Sequence, residues 1–133
     1  MPKALEQITA AEKIADILEL RLDLINSFDL NALLKAATKP VIVTNRSKLD
    51  GGQFKGGDEE RVRALHDALE AGADYVDIEV STAREHLQPF LEGHETSRII
   101  ISYHDFSHTT EDINPLYEAM NELPGGVIKI VTY

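Results

Sequence analysis

The sequence predicts a parallel α/β fold: βα units in series, either a segment of a (β/α)8 barrel or a small open sheet. Short β-branched runs alternate with amphipathic stretches, and the strand candidates begin near Asp16, Pro40, Ala73, Arg98 and Val127. The steps between them, 24, 33, 25 and 29 residues, suit a crossover helix and are too long for a hairpin. At roughly 31 residues per barrel unit, 133 residues hold about four units. The chain opens on a helix-like stretch, Ala4 to Ala15, and ends inside its fifth strand. As a barrel it would therefore be open and incomplete, with about five strands, in one domain spanning 1–133.

Each element has its own justification. Parallel strands are expected to be apolar on both faces, as Val41-Ile42-Val43, Ile99-Ile100-Ile101, Val127-Ile128 and Ile130-Val131 mostly are. The clearest helix follows Gly56-Gly57. Asp58 suits its N-cap, Glu59 and Glu60 suit the positive end of the helix dipole, and Val62, Leu65 and Leu69 form an apolar stripe. Gly72 suits the position just past its end. A later helix carries Ile113, Leu116, Tyr117, Met120 and Leu123 at helical spacing, with Asn114-Pro115 as cap and first position, and it stops before Pro124-Gly125-Gly126.

Composition narrows the function. With no Cys there is neither a disulfide framework nor a thiolate metal site nor a cysteine nucleophile, which suits a cytoplasmic setting. A net charge of −10 repels phosphate backbones, and the Lys and Arg residues are scattered, so a nucleic-acid partner is not expected. No apolar run is long enough to span a membrane, and no basic-then-apolar leader opens the sequence.

Parallel sheets carry their chemistry at the carboxyl ends of their strands. Glu19-Leu20-Arg21-Leu22-Asp23 ends the first strand, with Glu19, Arg21 and Asp23 on one face by the period of two. This is either a ligand-binding set or a self-compensating charge cluster. Arg46 at the end of the second strand can clamp a carboxylate or hydroxyl, and the glycines after Asp50 lack the Gly-Lys-Ser/Thr of a P-loop. Asp77 and Glu79 share a face of the third strand, as an acid and base pair or as counter-ions for Arg21 and Arg46. His104 ends the fourth strand, where a general base belongs. His104 and His108 lack a third ligand at metal spacing, so no metal is expected, and His66, His86 and His94 read as surface residues. Lys129 stands alone in an apolar strand. It is either a desolvated amine suited to Schiff-base chemistry or a charge guarding a sheet edge.

Taken together, Glu19-Leu20-Arg21-Leu22-Asp23, Arg46 with Asp50-Gly51-Gly52, Ala73-Asp74-Tyr75-Val76-Asp77-Ile78-Glu79, Ser102-Tyr103-His104-Asp105-Phe106 and Ile128-Lys129-Ile130 resemble, in order, the motifs of type I 3-dehydroquinate dehydratase. The resemblance implies a (β/α)8 barrel, here strands two to six. It implies dehydration of 3-dehydroquinate to 3-dehydroshikimate in the shikimate pathway, with no metal or organic cofactor. It also assigns residues: Lys129 forms the imine, His104 moves the proton, Glu19, Arg21 and Arg46 contact substrate hydroxyl and carboxylate groups, and Asp50, where the family usually has Glu, orients His104. The expected partner is the small-molecule substrate. Unpaired sheet edges favour a homodimer that rebuilds a barrel-like enclosure. The rival expectation is an inactive remnant with an incomplete pocket.

Overall fold

Alternation of β-branched runs with amphipathic stretches produces five βα units. The computed structural model describes residues 1–109 and 111–133. Five helices, α1 (Pro2–Ala11), α2 (Leu30–Ala36), α3 (Asp58–Glu70), α4 (Arg84–Gly93) and α5 (Asn114–Asn121), alternate with five strands. The strands are β1 (Leu18–Arg21), β2 (Val41–Thr44), β3 (Tyr75–Glu79), β4 (Ile99–His104) and β5 (Val127–Val131), each starting within two residues of its expected place. They form one sheet in the order β1-β2-β3-β4-β5, and every pair is parallel. This is a run of (β/α) units whose barrel is not closed, with β1 and β5 as its edges.

Register sorts the side chains. Leu20 pairs with Val43, Val43 with Val76, Val76 with Ile99 and Ile101 with Ile128, so these residues share one face. That face meets the helices: Leu33, Leu65, Ala68, Leu87, Phe90, Leu91 and Met120 are buried in the same cluster as Val43, Val76, Ile78, Ile99 and Ile101. Arg21 pairs with Thr44, Thr44 with Asp77, Glu79 with Ser102 and Ser102 with Lys129 on the other face. The expectation of strands apolar on both faces is thus corrected. β1 to β4 alternate towards their carboxyl ends, β5 contributes Lys129 alone, and the polar set falls on the face that a barrel encloses.

Several boundaries move for identifiable reasons. Gly57, not Asp58, caps α3, because the Asp58 carboxylate is engaged by Arg61 and by the Ala83 amide at 2.7 Å. Ile113, not Asn114, caps α5, and the Asp112 carboxylate accepts the Asn114 amide at 2.9 Å. The first helix is α1, ending at Ala11 rather than Ala15, where turns close Ile14 and Ala15 back onto Ala11. The expected stripe of α5 is only partly used: Met120 is buried, whereas Ile113 and Tyr117 remain exposed.

Leu65 lies at zero exposure beneath the sheet, where truncation leaves a cavity that its neighbours cannot fill. Leu65→Ala is expected to cost about 3 kcal/mol, read as a lowered urea midpoint at unchanged slope.

Candidate functional site

The site grows from one buried cation. Arg46 stands two residues past the end of β2 and is turned onto the polar face, where its side chain is 4% exposed. Leaving a guanidinium so deep is tolerable only with opposite charges and complete hydrogen bonding. The next two strands supply both. Arg46 Nη1 and Nη2 donate to the two oxygens of Asp77 at 2.9 Å each, a bidentate fork, and Nη1 also donates to Glu79 Oε1 at 3.0 Å and Ser102 Oγ at 2.8 Å. Ser102 in turn donates to Asp77 Oδ1 at 2.5 Å. Lys129 Nζ, from edge strand β5, reaches Asp77 Oδ2 at 3.0 Å. Asp77 thus joins Arg46 and Lys129, while the lysine side chain stays 37% exposed on the open side.

Glu79 has a second cation, which sequence reasoning missed. Arg61 of α3 is fully buried, pairs through Nη1 with Glu79 Oε2, and donates through Nη2 to Thr82 Oγ1 at 2.7 Å and Asp58 Oδ1 at 2.9 Å. The signal was available: Arg61 lies four and eight residues before Leu65 and Leu69, hence on the buried stripe of α3. Arg21 was the other cation expected to meet Asp77 and Glu79. It takes Asp23 instead, through Nε at 2.8 Å and Nη2 at 2.7 Å. The reason is local: the chain leaves β1 after Arg21 and coils as a 3-10 turn over Leu22–Leu24, so Asp23 folds back onto it. Asp23 also accepts the Arg46 and Gln53 amides at 3.2 and 3.0 Å, tying the end of β1 to the loop after β2.

That loop is built on glycine. Gly51 has φ of +79°, and a side chain on Gly52 would collide with the Arg46 carbonyl, so only glycine lets the chain double back there. The Gly51 and Gly52 amides close the turn on the Lys48 and Ser47 carbonyls. The Asp50 carboxylate accepts the Ser47 and Ser81 hydroxyls, each at 2.6 Å. Glu19 is exposed at the β1 edge and accepts the Thr44 hydroxyl at 2.7 Å.

His104 closes the group. Its Nδ1 lies 3.5 Å from Arg46 Nη1, and its ring stacks on Phe106 with centroids 5.9 Å apart. Burial, then the positive charge of Arg46, holds the imidazole below its ordinary value of 6.5, with Asp77 pulling the other way. Burial alone would raise Asp77, yet the bonds and charge of Arg46, with Ser102 and Lys129, outweigh it and hold that carboxyl below the usual range. Burial pushes Glu79 up, and Arg61 and Arg46 offset this only in part. The cluster therefore holds a neutral imidazole near an amine, a pairing suited to proton transfer beside a carbonyl carbon. His108 is exposed against Asp105 at 3.3 Å, and His66 and His94 meet each other at 2.8 Å between α3 and the end of α4, with His94 half-buried rather than on the open surface. Among the described residues no three His, Cys, Asp or Glu are placed to share a metal ion, and no helix is long and apolar enough to cross a membrane.

The chain has known counterparts. A family model, type I 3-dehydroquinase, matches residues 1–133. The chain belongs to this family. A 3-dehydroquinate dehydratase of Desulfotalea psychrophila is 33% identical over 99% of this chain and 60% of its own length, and one of Methanococcus maripaludis is 35% identical over 98% and 61%. This type I 3-dehydroquinase chain thus spans about three-fifths of those relatives. Among solved structures, the 3-dehydroquinate dehydratase of Aquifex aeolicus superposes with a TM-score of 0.73 at 29% identity over 97% of this chain and 62% of its own. The type I enzyme of Clostridium difficile gives 0.85 over 96% and 57%, and at 23% identity it speaks to the fold alone.

Because the folded-state value of His104 lies below that of the unfolded chain, the unfolded state binds more protons once pH drops below about 6.5. His104 therefore contributes a loss of stability as pH falls from there through its folded-state midpoint. Histidine NMR titration is expected to place the His104 midpoint below 6.5, and a midpoint at or above that value contradicts the burial argument.

Proposed function

We propose that this chain carries the Schiff-base centre of a 3-dehydroquinate dehydratase, a lyase of the shikimate pathway acting in the cytoplasm without metal or organic cofactor. The observation that carries it is the placing of Lys129, in the middle of β5, and His104, at the carboxyl end of the adjacent β4, on one face around the shared Asp77–Arg46 pair. The Lys129 amine attacks the substrate ketone, forming the C–N bond, and the carbonyl oxygen leaves as water. The protonated imine then acts as an electron sink for the adjacent carbon. Neutral His104 takes a proton from that carbon, and the electron pair released expels the β-hydroxyl, which departs as water with a proton returned by His104. Hydrolysis of the imine frees the unsaturated ketone and regenerates the amine.

Glu19, Arg21 and Arg46 lie at the ends of β1 and β2 on the same side, and we assign them to the substrate's hydroxyl and carboxylate groups. Asp50 biases His104 through its charge, one of the influences that raise the imidazole against burial. In this reading a second copy, pairing against the β1 and β5 edges, completes the enclosure as a homodimer.

Incubation with 3-dehydroquinate and borohydride is expected to add reduced adduct mass to Lys129, and Lys129→Met abolishes the label. His104→Gln is expected to keep the label while lowering turnover by about 10²–10⁴-fold. A folded wild-type chain that is never labelled defeats the proposal. Sedimentation at rising concentration is expected to show a dimer, and a monomer that nonetheless turns over defeats the shared enclosure.

A further inference from the structure

We propose that Arg61, a residue that never reaches the open side of the sheet, is a positioning residue for Lys129: through Glu79 it supplies the positive charge that frees Arg46 to share Asp77, and so lets the lysine give up its proton. The inference rests on the reading of Lys129 as the imine-forming amine.

The path is short and continuous. Arg61 binds Glu79, Glu79 accepts Arg46 Nη1 at 3.0 Å, Arg46 forks onto Asp77, and Asp77 accepts Lys129 at 3.0 Å. Asp77 and Glu79 are the two carboxylates along this path, and both are buried. With Arg61 present, Glu79 is answered largely from α3, so Arg46 is available to Asp77. Asp77 then already holds a bidentate cation when Lys129 arrives, and it is a poor exclusive counter-ion for the ammonium. Guanidinium groups keep their protons at all accessible pH, so Lys129 is the one cation of the three able to respond by deprotonation. The other groups beside the lysine are Ser102, its register partner on β4, His104, which feels its charge, and Arg46, which shares Asp77 Oδ2 with it. Asp58, 29% exposed at the far side of Arg61, spends its second oxygen on the Ala83 amide. Removing Arg61 takes one positive charge from this enclosure whatever Asp58 does. Glu79 then competes with Asp77 for Arg46, and Asp77 holds the Lys129 ammonium more firmly.

The test is competitive acetylation of the whole chain with acetic anhydride across pH, with Lys129 read by peptide mass spectrometry against exposed Lys48. Arg61→Met is expected to raise the pH of half-maximal Lys129 labelling by about one unit, with Lys48 unmoved. Arg61→Lys is expected to keep the wild-type midpoint. The double variant Arg61→Met with Glu79→Gln, which removes one charge of each sign, is expected to restore it, a rescue that mere loosening of the fold does not give. An unmoved midpoint in Arg61→Met, or a double variant as shifted as the single, overturns the proposal. If Arg61→Met fails to fold, Glu79→Gln alone decides: a lowered midpoint supports the assignment, and an unchanged or raised one overturns it. Should these shifts appear in a protein that 3-dehydroquinate and borohydride never label, the dehydratase reading fails while the role of Arg61 stands.

Discussion

The structure turns on a guanidinium buried between two carboxylates. Arg46, at 3% exposure, is tolerable in that position only because Asp77 and Glu79 answer its charge, and Asp77 in turn holds its own charge chiefly through Arg46. The arrangement is demanding because each partner comes from a different unit: Arg46 from the end of β2, the acids from β3, Ser102 from β4, Arg61 from α3 and Lys129 from β5. A buried network of this kind is no great source of net stability, since desolvation consumes most of the attraction. Its value is specificity. Any slip of one strand by a single residue would swing these charges into the apolar layer beneath the helices, so the network penalises every register but one.

The same network explains how a sheet of ordinary composition presents reactive groups. Asp77 accepts Arg46, Ser102 and Lys129 at once, and Glu79 accepts two arginines, so the oxygens of both acids are saturated. Saturated carboxylates hold their charge and their place. Around that rigid centre the two groups with adjustable protons, the imidazole of His104 and the amine of Lys129, stand where solvent and a ligand can reach them. Fixed charges inside and titratable ones outside give a preorganised field, the component of catalysis that needs no motion at the moment of reaction.

Much of this was legible in the chain, and the gaps have physical causes. The spacing of the β-branched runs located all five strands, because βα units impose a minimum length on their crossovers. The polar residues at strand ends were recognisable as a set because only such positions tolerate them. Arg61 escaped notice because a charged residue within a helix ordinarily faces water, and its burial depends on Glu79, eighteen positions away. The pairing of Arg21 with Asp23 was hidden for a related reason: the period of two predicts a shared strand face, but the strand stops at Arg21 and the turn brings the partners together by another route. The two-faced sheet was missed because runs such as Ile99-Ile100-Ile101 look uniformly apolar, while the alternation lies in the residues that follow them.

The neighbour-to-neighbour order of the strands carries a consequence for how the molecule breathes. Each strand hydrogen-bonds only to the strands before and after it in sequence, so β3 is held on both sides by partners that are themselves held, whereas β5 leans on β4 alone. Amide exchange should therefore be slowest at β3 and quicken outward towards the two margins of the sheet. The fixed half of the charge network rides on the slow centre, and Lys129 rides on the fast margin. The lysine thus reaches its carboxylate from the margin of the sheet, across two strand pairings.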